Sequence, residues 1–190
     1  MIVVGILGAR GGTVLEIARR AAATGARTEV VGAAPIGTAG DRLLLQLAAA
    51  GVGHATVTRL NSAIADAAAS AAGQAAIEPA DLELALRYLP DVRAIVLVEP
   101  PATLLSTAAA AVSFAGATLI VVGPVEAAAL DALGSPLPIV LDPPAHDPDG
   151  AFAGVVAALA TRLDAGADPA AAWEVVRMTL AIEPLARSVR

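Results

Sequence analysis

The stretch Met1-Ile2-Val3-Val4-Gly5-Ile6-Leu7, followed by Gly11-Gly12, the helix-forming Ile17-Ala18-Arg19-Arg20 and the run Val30-Val31-Gly32, decides the fold. A short β-branched run, a longer Ala-rich segment and a second β-branched run make a βαβ unit, and the alternation continues to the end of the chain. It predicts strands at 1–7, 27–32, 54–59, 94–98, 118–122 and 138–141. Helices are predicted at 13–25, 38–51, 79–89, 102–115, 124–133, 150–165 and 169–183. Pro79 and the pair Asp168-Pro169 mark two of the helix starts, proline being suited to the first helical position and Asp to the cap before it. The Ala- and Ser-rich stretch 61–76 is too uniformly apolar for periodicity to decide. The expectation is one domain over 1–190, a three-layer α/β/α unit with a mostly parallel central sheet, because 190 residues suffice for one well-cored unit.

The most chemically varied loop is Asp142-Pro143-Pro144-Ala145-His146-Asp147-Pro148-Asp149-Gly150. It follows a predicted strand and precedes a predicted helix, which places it at the carboxyl edge of the sheet, where open α/β folds bind ligands.

Composition narrows the chemistry. Cysteine is absent and all 12 basic residues are Arg, which removes thiol nucleophiles, thiolate metal sites, Schiff-base lysines and the lysine of a Walker A loop. A net charge of −6, with no basic run, opposes nucleic-acid binding. Pro101, Gly116, Gly123 and Pro124 interrupt the uncharged run 100–125, so no membrane span is expected, and the first residues lack the basic region of a signal peptide. A cytoplasmic location follows as the expectation. Hydrophobic residues make up 57% of the chain and charged residues 16%, too little polar surface to cover a monomer comfortably, so a homo-oligomer is expected.

Two blocks resemble the ribokinase (PfkB-type) carbohydrate kinase family. The first runs from Gly11-Gly12 through helix and strand to Gly40-Asp41, Leu43-Leu44-Leu45 and Gly51-Val52. It is similar to the family's substrate-side glycine pair and the elements behind it. The second, Gly150-Ala151-Phe152-Ala153-Gly154 with Gly166-Ala167-Asp168 and Trp173 behind, is similar to the family's C-terminal signature helix. The resemblance implies a ribokinase-like fold, substrate contacts from Gly11, Gly12, Glu16 and Asp41, and an anion hole at Gly150, Ala151 and Phe152. ATP and Mg2+ are the implied cofactors if kinase activity survives.

Departures from the pattern are many. Gly150 stands where the family has its catalytic Asp, and Asp147, Pro148 and Asp149 stand where small, anion-tolerant residues are expected. Two carboxylates beside an anion hole repel phosphate, and Pro148 has no N–H to donate. Asp149 or Asp147 is the candidate for a displaced catalytic base; the plainer reading makes Asp149 the N-cap of helix 150–165. No room exists for the family's β lid before Gly11-Gly12, Glu16 replaces an Asn, and Ala34-Pro35-Ile36-Gly37 replaces paired aspartates.

Together these readings predict a degenerate ribokinase-like domain without kinase activity, retained as a small-molecule-binding or protein-interaction module. One alternative is a residual phosphotransferase using Asp149. Another is a nicotinamide-dinucleotide site at Gly5, Gly8 and Gly11, although the second strand ends in Gly32-Ala33-Ala34 without the acidic residue that holds a ribose. His146 with Asp142, Asp147 and Asp149 forms at most a weak metal pattern, so no metal is expected. His54 reads as structural, and Trp173 as core or interface.

Overall fold

A computed structural model describes residues 1–7, 12–61, 77–89, 91–134, 137–147 and 149–187. The expectation for 61–76 falls almost wholly outside the described residues.

Among the described residues six strands form one sheet: β1 (Ile2–Ile6), β2 (Glu29–Pro35), β3 (Gly53–Leu60), β4 (Ala94–Val98), β5 (Thr118–Val122) and β6 (Ile139–Leu141). All pairings are parallel and the order is β3-β2-β1-β4-β5-β6. Val3 sits opposite Val30 on one side and Val96 on the other, at the centre of the sheet. The helices are α1 (Gly12–Ala23), α2 (Thr38–Ala49), α3 (Pro79–Tyr88), α4 (Ala102–Ala115), α5 (Ala127–Asp131), α6 (Ala151–Asp164) and α7 (Pro169–Arg187).

The continuous apolar strands follow from burial on both faces, as parallel sheets require. Val3 joins Val14, Ile17, Leu43, Leu159 and Val176 in the core beneath α1, α2, α6 and α7. Its neighbours Ile2 and Val4 point the other way, into a second core with Leu82, Leu104 and Leu105 of α3 and α4. These are the three layers expected. Only residues 7–11 separate β1 from α1, so a β lid has no place there.

Local chemistry sets the helix starts. In α3, Glu78 N–H donates to Asp81 Oδ2 at 3.0 Å ahead of Pro79, half of a reciprocal capping box. In α7, Asp168 Oδ1 accepts from the N–H groups of Ala170 and Ala171 at 3.0 and 3.1 Å. Among the boundaries that differ from the sequence expectation, two have a tertiary reason. β2 runs on to Pro35 because β3 continues beside it to Leu60, and the helix expected at 124–133 is confined to Ala127–Asp131, which buries no residue to stabilise a longer one.

Candidate functional site

β1 is flanked by β2 on one side and β4 on the other, and chain direction across the sheet reverses there. Outside the carboxyl ends of these strands lies the crevice where doubly wound sheets bind ligands. α1 leaves the end of β1. The loop after edge strand β6 carries the chain back across the sheet, so that α6 packs beside α1 and over β4. Thr24 and Thr161 hydroxyls lie 3.4 Å apart along this helix pair. The N-terminus of α6 and the residues implied as an anion hole therefore sit close to the central crevice although β6 is an edge strand.

That helix end is occupied by the chain itself. Asp147 Oδ1 accepts from Ala151 N–H at 2.8 Å and Oδ2 accepts from Phe152 N–H at 3.0 Å. Gly150 N–H donates to the Asp147 carbonyl at 3.3 Å. A carboxylate is the natural partner of free N–H groups at the positive end of a helix, where a phosphate would otherwise fit. The capping carboxylate is thus Asp147 and not Asp149, which corrects the reading of Asp149 as N-cap. The reason is conformational: Gly150 adopts φ 63°, ψ 26° and turns the chain so that the carboxylate two residues before Asp149 meets the helix. A non-glycine residue is strained at this φ, so the position expected for the catalytic Asp is shaped for glycine.

Arg20 of α1 joins the remaining candidates. Its Nη2 donates to the Asp149 carbonyl at 3.4 Å, and its Nε lies 3.7 Å from Glu16 Oε2. Glu16 also accepts from Arg19 at 3.3 Å, so its carboxylate is tied along its own helix. A groove of about 410 Å³ lies on this flank, lined by Glu16, Arg19, Arg20, Ala23 and Ala50. Asp41, in the first turn of α2, is paired with Arg59 of β3 at 2.7 Å. Gly12 opens α1 with φ 56°. Gly8, Gly11 and Pro148 lie outside the described residues. The structure therefore gathers Glu16, Asp149, Gly150, Ala151 and Phe152 around Arg20 and Asp147, and gives Asp41 a separate partner.

Glu99 was not legible in the sequence as a site residue. It follows β4, bordering the central crevice, and is the sole non-glycine among the described residues with positive φ, 48°. Its N–H donates to the Val122 carbonyl at 2.8 Å, which holds the turn against β5. Such a conformation costs about 1–3 kcal/mol and persists only where the surroundings enforce it. A Glu followed by Pro100-Pro101 was the only signal. His146 is exposed, and among the described residues no three His, Asp or Glu side chains come together as metal ligands. His54 Nδ1 lies 3.0 Å from the Val52 carbonyl, a local backbone contact. Trp173 is 39% exposed on α7.

An all-parallel sheet covered by helices on both faces, with its chemistry gathered at the carboxyl edge, defines a doubly wound α/β domain. Similar solved structures make the fold ribokinase-like. Arabidopsis thaliana ribokinase, complexed with ribose and ATP, superimposes with a TM-score of 0.65 at 15% identity, over 92% of this chain and 89% of that one. A PfkB protein from Polaromonas superimposes with a TM-score of 0.56 at 14% identity, over 91% of each chain. No family model matches the sequence, and no curated protein does. No helix among the described residues is long and apolar enough to cross a membrane.

Proposed function

We propose that this chain is a ribokinase-like domain that does not transfer phosphoryl groups and acts as an interaction module. The observation that carries the reading is the Asp147 carboxylate on the N–H groups of Ala151 and Phe152. Phosphoryl transfer on this scaffold needs those donors free to stabilise developing negative charge. A resident carboxylate satisfies them and repels an incoming phosphate. Gly150 supplies no side chain at the base position, and Asp149 holds its carbonyl towards Arg20. Glu99 adds a further carboxylate at the end of β4, where a nucleotide's phosphates would be unwelcome.

The test is ATP consumption across a panel of sugars and nucleosides, for the natural chain, Asp147→Ala and Asp149→Asn. No turnover above background is expected for the natural chain. Turnover that Asp149→Asn abolishes would establish the residual phosphotransferase instead.

A nicotinamide dinucleotide in the β1–β4 crevice has one observation in its favour. The sheet order is that of dinucleotide-binding domains, and a Cβ at Gly5 would lie 2.6 Å from Val14 Cγ2, so glycine permits close packing of strand on helix. Against it, β2 ends in Ala33-Ala34-Pro35 with no carboxylate for a ribose. Calorimetric titration with NAD(H) and NADP(H) that gives no heat at millimolar ligand removes this reading.

A further inference from the structure

We propose that the face formed by α3 and α4 is a two-fold interface between copies of this chain, in which the Phe114 ring of each copy seats in the other's groove. This inference stands apart from the reading of the α6 terminus. The groove, about 520 Å³, runs between the two helices, with Leu86, Val92 and Ile95 among its apolar lining residues. Phe114 stands on its lip and is 96% exposed.

The chain has two Phe, one Tyr and one Trp, and its core is built from aliphatic side chains. Leaving one of these few rings wholly in water, beside an apolar groove, forgoes the burial that aromatic residues usually provide. Knob and hole lie side by side on one face, which is the geometric condition for a closed isologous pair. A two-fold axis between them sends each ring into the opposite groove and leaves no free end to propagate a filament.

Charge fixes the direction of the pairing. Glu83 and Arg87 both line the groove, one turn apart on α3. Two copies of α3 crossing antiparallel place each Glu83 against the other copy's Arg87, whereas a parallel crossing sets Glu on Glu and Arg on Arg. The face is self-complementary only in the antiparallel two-fold arrangement.

Area is consistent with a stable pair. A buried ring contributes roughly 150–250 Å², and the groove walls that receive the opposite ring contribute a similar amount. Each copy therefore brings about 300–500 Å² from this contact alone, towards the ~800 Å² per partner of a standard interface. The flanking surfaces of α3 and α4 are left to supply the rest. A mean hydropathy of +0.73 with 16% charged residues accords with a chain that covers part of its surface against a partner.

Sedimentation equilibrium of the full chain tests this, with Phe114→Asp, Phe114→Ser, Glu83→Arg, Arg87→Glu and the double exchange Glu83→Arg/Arg87→Glu. A dimer is expected for the natural chain. Both Phe114 variants should weaken it by about 30-fold or more, as loss of a central aromatic anchor does, with an unchanged circular dichroism spectrum because the ring is exposed. Each single charge reversal should weaken the dimer and the double exchange should restore it. A natural chain that stays monomeric at about 100 µM overturns the proposal, since stable interfaces of this size are half-assembled well below that concentration. So does a dimer that tolerates loss of Phe114, or a double exchange no tighter than the single reversals.

Discussion

Replacing Asp147 measures directly how the α6 terminus is held. In Asp147→Ala the N–H groups of Ala151 and Phe152 lose acceptors at 2.8 and 3.0 Å and turn to water. A lost cap costs about 1 kcal/mol, and the negative charge in the field of the helix adds about 0.3–1 kcal/mol. The site is only partly buried, so water satisfies the freed donors and no full desolvation penalty arises. The sum is about 1.5 kcal/mol, or roughly 3–6 °C in Tm for a domain of this size. Asp147→Asn keeps one acceptor oxygen but loses the charge, and about half that loss is expected.

Thermal and urea unfolding of both variants checks the magnitude, and inorganic phosphate checks the chemistry. With the resident carboxylate gone, about 20 mM phosphate should raise the Tm of Asp147→Ala above a chloride control of matched ionic strength, and should leave the natural chain unmoved. The reasoning is refuted if Asp147→Ala unfolds at the same temperature as the natural chain, or if phosphate stabilises the natural chain as much as the variant.

Gly150→Ala should cost about 1–2 kcal/mol from its φ of 63°, and Gly150→Asn clearly less. A Cβ there comes no closer than 3.4 Å to Arg20, so a urea midpoint equally low for both variants would show that contact, not backbone, sets the cost. On the exposed face of α7, a hydrogen bond from Arg177 draws the Glu174 carboxyl below its ordinary value of 4.5. Its contribution is present above that value and lost as pH falls through the lowered one. The small difference in urea midpoint between the natural chain and Glu174→Gln should therefore shrink as pH falls below 4.5 and vanish once pH is below the lowered value.

Most of the fold was legible in the sequence because a parallel sheet buried on both faces writes itself as short β-branched runs between Ala-rich helices. Ala94–Val98, Ala102–Ala115 and Thr118–Val122 match the expected bounds residue for residue. Pro79 and Asp168-Pro169 likewise carry their capping chemistry locally, within four residues of chain. Boundaries failed where the neighbour decides. β2 reaches Pro35 through its register with β3, and α5 stays short because nothing covers it.

The site divides along the same line. Residue identity alone shows that Gly150 carries no carboxylate at the expected base position, and that Asp147, Pro148 and Asp149 crowd a helix start. Which of the two aspartates meets the helix depended on the left-handed turn at Gly150, a backbone conformation that glycine permits but does not specify. The partnership of Arg20 with Asp149, 129 residues apart in the chain, exists only because α6 returns from the edge of the sheet to lie on α1. The strained turn at Glu99 is enforced by its bond to β5. Composition and local pattern fix what a segment can do with its immediate neighbours, and the Asp147 carboxylate on the α6 terminus is such a local contact, made by the turn at Gly150; contacts between distant segments, such as Arg20 on Asp149, arise from packing alone.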